Sequence, residues 1–118
     1  MANRYVGKMI IVDTTDTQIG SGKGIKQATS QIGPASDLRI RAIKWVATDN
    51  SNKDIANEDD VNILYGDSDG DECIACRAQL AAVTGSVIYS VEFGSKPWII
   101  PGLYVEDLDG GELQIFLD

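Results

Sequence analysis

The chain has 118 residues, 43% of them hydrophobic, which is the usual size of a single domain whose core folds without disulfide bonds. Its formal net charge of −8 at pH 7, with basic residues dispersed along the chain, argues against a nucleic-acid partner. The apolar run MII at residues 9–11 is shorter than a signal-peptide core or a membrane span, so we expect neither export nor a membrane partner.

The charge is divided unevenly along the chain. Residues 1–48 carry seven basic and three acidic residues, a net charge of +4, whereas residues 49–118 carry three basic and 15 acidic residues, a net charge of −12. A surplus of one sign keeps a protein soluble. An uneven division also allows a basic face and an acidic face to meet complementary surfaces in an assembly, and both interpretations stay open here.

The first third of the chain predicts short strands separated by loops. Residues 9–12 form a compact apolar run that predicts a strand. The threonines and three glycines of residues 14–24 favour a loop, and residues 25–33 predict another strand, which Gly33 and Pro34 end. We interpret residues 1–36 as an N-terminal arm or strand region of the domain.

The segment DLRIRAIKWVAT at residues 37–48 predicts a long strand with one irregularity. Apolar residues alternate with arginines as far as residue 42, and the apolar phase then slips by one residue, which is typical of a β-bulge. The two apolar sets are Leu38, Ile40 and Ala42, then Ile43, Trp45 and Ala47. Arg39, Arg41 and Lys44 are thereby predicted to lie on the solvent side of the strand.

Strand patterns continue through the second half. After a polar connection at residues 49–60, the apolar side chains of Val61, Ile63 and Tyr65 recur at every second residue and predict a strand. Residues 72–83 contain good helix formers, but their side chains alternate in the same way, so we predict a strand there too. Residues 86–93 are β-branched and aromatic, a composition typical of strands.

The end of the chain predicts a β-hairpin and completes an all-β pattern. A short apolar run at residues 98–100 lies between two prolines, and Asp109, Gly110 and Gly111 then separate two further apolar runs. Together the patterns predict one all-β domain, an antiparallel β-sandwich or small barrel of about seven to eight strands.

The segment YGDSDGDECIAC at residues 65–76 combines features of two kinds of metal site. An EF-hand loop counted from Asp67 fails, because its glycine falls at position 4 instead of 6 and position 12 is Ala78 instead of glutamate. A looser calcium site remains an alternative to a solvated hairpin turn. Its four acidic residues would be Asp67, Asp69, Asp71 and Glu72.

We expect Cys73 and Cys76 to be free thiols that pack as small residues, in a reducing compartment. With two cysteines and no histidine, the chain lacks the four ligands of a structural zinc site. A position in the middle of a strand points the two thiols to opposite faces, whereas a redox-active pair sits at the start of a helix. We therefore expect neither a metal nor a cofactor.

The sequence lacks the motifs of common enzymes. GSGKG at residues 20–24 departs from a P-loop, because Thr17 occupies the position of the first glycine and Gly24 follows Lys23. We interpret this segment as a flexible loop, with anion contact through Lys23 as the alternative. Without histidine, a serine elbow or a carboxylate pair in a pocket, we expect no enzyme activity.

The C-terminal segment PGLYVEDLDGGELQIFLD at residues 101–118 resembles the ending of small structural proteins of tailed bacteriophages. DLRIRAIKW at residues 37–45 and DVNILYGDSDGD at residues 60–71 resemble the paired strands and the aspartate-glycine turn of the same proteins, so the resemblance covers residues 37–118. It implies a β-sandwich that binds the outside of the capsid as a cement or decoration protein, usually as an oligomer.

The resemblance also implies partners and a location. The partners are the major capsid protein and further copies of the chain in a dimer or trimer, and the location is the virion after synthesis in the host cytoplasm. For this first function we expect an interface that includes Arg39, Arg41, Lys44 and Tyr104, because charged contacts set the register of docking surfaces.

A second function from a different class stays open. The chain is then a soluble β-sandwich binding module for a carbohydrate or a calcium-dependent ligand. Its stacking platform would be Trp45, Trp98 or Tyr104, and the acidic turn at residues 67–72 would be its ion site. Packing in the core is the other interpretation of the two tryptophans, because most large aromatic side chains are largely buried.

Overall fold

Eleven strands make up most of the described chain. The structure is a computed structural model that describes residues 3–20, 30–34, 37–47, 55, 59–66, 70–77 and 87–118. In chain order the strands are β1 (Arg4–Val6), β2 (Met9–Val12), β3 (Thr17–Gly20), β4 (Ser30–Ile32), β5 (Leu38–Val46), β6 (Asp60–Tyr65), β7 (Glu72–Arg77), β8 (Val87–Glu92), β9 (Trp98–Ile100), β10 (Gly102–Leu108) and β11 (Glu112–Leu117). The described ranges contain no helix.

The strands form two sheets. The six-stranded sheet has the order β1-β2-β11-β5-β8, with β9 also paired to β5, and all of its pairs are antiparallel. The five-stranded sheet has the order β4-β3-β10-β6-β7, in which β3 and β4 are parallel and the other pairs antiparallel. The predicted all-β sandwich is therefore confirmed.

The core lies between the two sheets. Along β5, Leu38, Ile40, Ile43 and Trp45 are at most 1% exposed, and they belong to the same cluster as buried side chains of the five-stranded sheet. The fully buried members from other strands include Ile10, Val12, Ile19, Ile63, Leu103, Val105, Leu113 and Ile115. Burying a side chain of this size contributes roughly 1.5–3 kcal/mol before the entropy of ordering it is subtracted.

The bulge predicted in β5 is confirmed. Phe116 of β11 pairs with Ala42, while the next residue, Leu117, pairs with Ile40, so Arg41 is an extra residue on β5. An extra residue changes the phase of a strand by one, which keeps the apolar side chains before and after it directed at the same core. The bulge thus explains why Leu38 and Ile40 before it and Ile43 and Trp45 after it are all buried. Ala42, predicted to belong to the first apolar set, is only half-buried and pairs with the exposed Glu92.

The predicted hairpin at residues 109–111 is wrong, because β10 and β11 lie in different sheets. The turn between them crosses the edge of the sandwich instead of pairing its two flanking strands. Trp45 Nε1 donates a 2.8 Å hydrogen bond to the carbonyl oxygen of Gly110, and Gly111 has a φ of 69°. Aspartate and glycine suit either kind of turn, so contacts distant in sequence decide which one forms.

The described residues form eleven strands, which exceeds the predicted seven to eight. Two of the strands were not predicted: β1, and β3, which lies within the predicted loop at residues 14–24. Strand β3 was not predicted because its composition is polar. Gln18 is nevertheless fully buried, and its Nε2 donates hydrogen bonds to the backbone carbonyl oxygens of Gly66 at 2.6 Å and Leu103 at 3.1 Å. Hydrogen bonds of this kind allow a polar side chain to be buried.

Parts of the sequence-based interpretation fall outside the described residues. These are residues 21–24 of the glycine loop, residues 25–29 of the strand predicted at 25–33, most of the polar connection at 49–58, Asp67 and Asp69 of the acidic turn, and residues 78–83. Within residues 1–36, the described part supplies β1 to β4, and these strands pair in both sheets. The N-terminal region is therefore a strand region that belongs to the sandwich.

Candidate functional site

The outer face of the six-stranded sheet carries the basic side chains predicted for β5. Arg39 and Arg41 are exposed there and Lys44 is half-buried. Arg39 Nη2 lies 3.3 Å from Asp118 Oδ2, and Arg41 Nη1 lies 3.0 Å from Asp118 Oδ1. Hydrogen bonds from Arg41 and then Arg39 hold the pKa of Asp118 below its usual value. The predicted basic stripe exists, and two of its guanidinium groups share one carboxylate.

A groove and two further cations belong to the same face. Lys8, in the turn between β1 and β2, lines a groove of about 460 Å³ together with Arg41, Glu92 and Phe116. Lys44 Nζ lies 5.5 Å from the centre of the Phe116 ring, within cation–π distance. We call this surface the cationic face: Arg4, Lys8, Arg39, Arg41 and Lys44, with Glu92, Glu112 and Asp118 as its acidic residues. Lys8 was not predicted as an interface residue, because no strand was predicted at β1.

Tyr104, the fourth predicted interface residue, lies on the opposite side of the molecule. It is half-buried between Leu103 and Val105, which face the core, so its ring lies on the outer face of the five-stranded sheet. Its hydroxyl donates a hydrogen bond to Asp16 Oδ1. Burial, and then this hydrogen bond to a carboxylate, raise the pKa of Tyr104 to about 12. The structure therefore groups Arg39, Arg41 and Lys44 but not Tyr104.

The outer face of the five-stranded sheet is acidic. In the described part of the chain, this acidic face consists of Asp16, Asp60, Glu72, Glu106, Asp107 and Asp109, with Arg77 as its basic residue. Asp60, Glu72 and Asp107 line a depression of about 360 Å³. Val105 pairs with Ile63 and Asp107 pairs with Asn62, which makes Glu106 the extra residue of a second bulge. Sequence analysis missed this face as a unit, because its acids come from separate strands.

Three aspartates form the tightest cluster on the acidic face. Asp60, Asp107 and Asp109 each present a carboxylate oxygen, and these oxygens lie within 4.8 Å of one another. Backbone bonds join the elements that carry them: Asp60 N–H donates to Asp109 Oδ2 at 2.9 Å, and Asp109 N–H donates to the Asp60 carbonyl oxygen at 3.0 Å. Arg77 also binds both carboxylate oxygens of Asp60, at 2.7 and 3.1 Å.

The pKa values of Asp107 and Asp60 in the cluster shift in opposite directions. Burial, the hydrogen bond with Asp109 and the charges of Asp109 and Asp60 together raise the pKa of Asp107 to about 6. The hydrogen bond from Arg77 instead lowers the pKa of Asp60. Two carboxylates that share a site cannot both ionise cheaply, so Asp107 retains a proton into the weakly acidic range. The acidic face therefore changes its charge close to neutral pH.

The cluster alone does not make a calcium site. Calcium takes six to eight oxygen ligands, and three aspartates of which one is already bound to Arg77 supply too few. Two residues of the predicted acidic turn, Asp71 and Glu72, are exposed, while Asp67 and Asp69 lie outside the described residues. The ion site expected at residues 67–72 thus stays a prediction.

The two cysteines are free thiols, and Cys73 is exposed while Cys76 is half-buried, so the expectation that both pack as small residues is wrong for Cys73. Burial is the main factor that raises the pKa of both Cys73 and Cys76, which disfavours the thiolate needed for redox chemistry or metal binding. Ile63 pairs with Ile74 and Leu64 pairs with Glu72, so Cys73 is the extra residue of a third bulge. This bulge removes the strict alternation on which the expectation of opposite faces rested.

Half-buried aromatic side chains surround a small cleft between the sheets. The cleft has a volume of about 250 Å³ and is lined by Cys73, Ile74, Tyr89, Val91, Phe93 and Trp98. Trp98 contacts Phe93 and Tyr65, with ring centres 5.4 and 6.3 Å apart. Trp45 has no exposed surface, so it packs in the core and offers no stacking platform. Trp98 is the tryptophan that reaches the surface.

Comparisons with known proteins gave no match. No protein-family model matches the chain, and neither the curated proteins nor the solved structures contain a significant match to it. A search of the described residues for a helix long and apolar enough to cross a membrane found none. The features that bear on function are therefore the two charged faces, the aromatic cleft and the sequence resemblance.

Proposed function

We propose that this protein is a virion structural protein that binds the outside of a phage capsid as an oligomeric cement or decoration protein. The observation that carries the proposal is the pair of oppositely charged outer faces. Charges held at fixed spacing on a sheet set the register and the speed of docking, while apolar burial supplies most of the affinity. The resemblance of residues 37–118 to structural proteins of tailed phages supports the same function.

The proposed role needs binding surfaces and no chemistry. The cationic face offers a groove with Lys8, Arg41 and Phe116, which suits an acidic side chain of a partner beside an apolar one. Ile99 is 52% exposed and pairs with Arg39 across β9 and β5, so apolar surface adjoins the charges. A rim of charge around apolar contacts is the usual composition of an interface between proteins.

Two measurements test the proposed function. Light scattering of the purified protein gives its oligomeric state, and co-sedimentation with phage capsids assembled without it gives its attachment. We expect an oligomer that pellets with the capsids in a saturable amount, more strongly at low salt. A protein that stays in the supernatant at every ratio of protein to capsid would contradict the proposal.

A binding module is the second candidate function, favoured by the aromatic cleft. Trp98 and Tyr65, the latter 43% exposed, form an edge where the apolar face of a sugar ring could stack. The carboxylates of the neighbouring strands would accept hydrogen bonds from sugar hydroxyls. The aromatic edge therefore supports a carbohydrate ligand in this alternative.

Tryptophan fluorescence separates the two candidates. Trp45 is buried, so a ligand at the aromatic edge would change the emission of Trp98 and leave that of Trp45 unchanged. A monomer that ignores capsids, binds glycans in an array and loses the fluorescence change in Trp98→Phe would reverse the ranking. An oligomer that pellets with capsids and binds no glycan supports the virion role.

A further inference from the structure

We propose that copies of this chain associate head to tail, with the cationic face of one copy against the acidic face of the next. The proposal rests on the proposed oligomeric role and specifies which surfaces meet. In the described residues the cationic face carries five basic and three acidic side chains, and the acidic face carries six acidic side chains and one basic. The partner that fits both faces at once is a second copy.

The charges argue against the commoner symmetric dimer. An isologous contact places the same surface on both copies, so it would bring two cationic faces or two acidic faces together. Like charges juxtaposed across an interface cost several kcal/mol. A heterologous contact places opposite charges together, and it generates a closed ring or an open filament depending on the rotation between copies.

Pairs within the chain do not remove this complementarity. Arg4 pairs with Glu112 at 3.7 Å, and Arg39 and Arg41 share the single carboxylate of Asp118, so two acids compensate three of the five basic groups in the described part of this face. On the acidic face, the bidentate bond of Arg77 to Asp60 leaves five other carboxylates in the described residues. Each face therefore keeps a surplus of its own sign.

Each face also carries a depression. The cationic face has a groove of about 460 Å³ beside Arg41, and the acidic face has a depression of about 360 Å³ beside Asp107. At each place a bulge adds one charged residue to the outer surface, Arg41 on β5 and Glu106 on β10. In the head-to-tail contact, each of these exposed side chains faces the oppositely charged surface of the next copy.

Two variants, each with one blocked face, test the arrangement. The variant Lys8→Glu/Arg41→Glu reverses two charges at the cationic groove, and Glu72→Lys/Glu106→Lys reverses two exposed charges of the acidic face. Head-to-tail contact requires both faces, so each variant alone should associate at least about tenfold more weakly than the wild type at low salt. Sedimentation velocity measures this loss, and circular dichroism verifies that both variants fold.

Mixing the two variants gives the decisive result. Each variant retains the face that the other lacks, so an equimolar mixture should form a one-to-one dimer that grows no further. The variant Lys96→Glu, which changes the charge by the same amount as one reversal but lies in the exposed turn after β8 and outside both defined faces, is the control and should associate as strongly as the wild type. Association of either blocked variant at wild-type strength, or a mixture that stays monomeric, would overturn the head-to-tail arrangement.

The outcome is distinguishable from failure of the proposed function. A protein whose blocked variants pair in the mixture but which never pellets with capsids would retain the arrangement and lose the virion role. A protein that pellets with capsids but whose wild type sediments as a monomer, or as a dimer insensitive to the acidic-face variant, would retain the role and lose the arrangement. Each assay therefore reports on one claim.

Discussion

The two outer faces of the sandwich hold their charges in different ways. On the cationic face the basic groups are spaced along strands, and the arginines of β5 are compensated by Asp118. On the acidic face three carboxylates lie within 4.8 Å of one another, and Asp107 responds with a pKa raised to about 6. The acidic face therefore changes its charge close to neutral pH.

On each face, a β-bulge adds one exposed charged residue. A bulge adds Arg41 to β5 and another adds Glu106 to β10, and in both strands the apolar residues around the bulge still face the core. The turn at residues 109–111 connects the faces, because Asp109 belongs to the acidic cluster while β11 belongs to the other sheet. The two faces should therefore be tested both together and separately.

The largest effect should come from the turn that joins the two faces. A Cβ at Gly111 would lie 2.6 Å from the Val46 carbonyl oxygen and 2.8 Å from Ile55 Cγ1, and its φ of 69° is unfavourable for alanine. Both the clash and the backbone strain oppose substitution. Gly111→Ala should therefore lower the free energy of unfolding by about 3 kcal/mol or more, as measured by urea denaturation.

A substitution at a second glycine separates the effect of the steric clash from that of backbone strain. Gly94 has a φ of 66°, but a Cβ there would meet nothing within 4 Å. Gly94→Ala should cost only the backbone strain, about 1 kcal/mol. If the two variants unfold at the same urea concentration, the packing of Ile55 and Val46 against the turn is not what holds the faces together.

The next effect concerns assembly through the cationic face. Arg39→Glu/Arg41→Glu reverses the two arginines that share Asp118, and we expect attachment or oligomerisation to weaken about tenfold at low salt with the fold intact. The loss should shrink as salt rises, because charges more than about 10 Å apart are screened at 0.1 M. Sedimentation at several salt concentrations, with circular dichroism for folding, measures both expectations.

A control variant with the same change in net charge shows whether the position of the charges matters. Arg77→Glu/Lys96→Glu also changes the charge by −4, but Arg77 lies on the acidic face and Lys96 in the exposed turn after β8. It should assemble more strongly than Arg39→Glu/Arg41→Glu. If the arginine variant assembles like the wild type at low salt, the basic stripe of β5 is a solvated surface and nothing more.

The sequence predicted the cationic face better than the acidic face, for a physical reason. The alternation and phase slip of β5 lie within one continuous segment, so a local pattern places Leu38, Arg39 and Arg41 correctly. The acidic cluster depends on Asp60, Asp107 and Asp109, which pairing between distant strands brings together. A local signal existed for its bulge, since the apolar residues at 103, 105 and 108 show the same slip as those of β5.

Two other differences between expectation and structure have the same origin. The turn at residues 109–111 has the composition of a hairpin turn, yet the hydrogen bond from Trp45 to Gly110 and the packing of Ile55 hold it across the sandwich. Strand β3 looked like a loop because Thr17 and Gln18 are polar, and both are nevertheless buried. Turn chemistry and composition are local, whereas these outcomes depend on tertiary contacts.

A smaller effect is expected from the acidic face as pH changes. The pKa of Asp107 is raised from an ordinary 3.8 to about 6, so the folded protein favours its protonated form. The associated stability is fully present below pH 4 and is lost as pH rises through 6. Asp107→Asn mimics the protonated side chain and should stabilise the protein at pH 8 by about 1 kcal/mol, discounted for partial exposure, with little effect at pH 4.

Unfolding by urea at pH 4, 6 and 8 measures this dependence. Glu72→Gln removes one charge from the same face outside the aspartate cluster, and it should show a smaller change between pH 4 and pH 8 than Asp107→Asn. A stability difference between Asp107→Asn and the wild type that is constant over this range would mean that Asp107 does not hold its proton in the folded state.

The smallest effect on stability, and the sharpest probe of the contrast between the faces, should come from Arg77. Its guanidinium binds both oxygens of Asp60 but is itself 59% exposed, and exposed ion pairs contribute little to stability. Arg77→Gln should therefore leave the melting temperature nearly unchanged.

The same variant, Arg77→Gln, should remove the hydrogen bond that lowers the pKa of Asp60, and so raise that pKa. The charge of Asp60 also acts on Asp107, and without the nearby guanidinium it should raise the pKa of Asp107 further. Titration followed by NMR of the carboxyl carbons measures both values in one experiment. Unchanged values in Arg77→Gln would mean that solvent already screens the two aspartates from the Arg77 guanidinium.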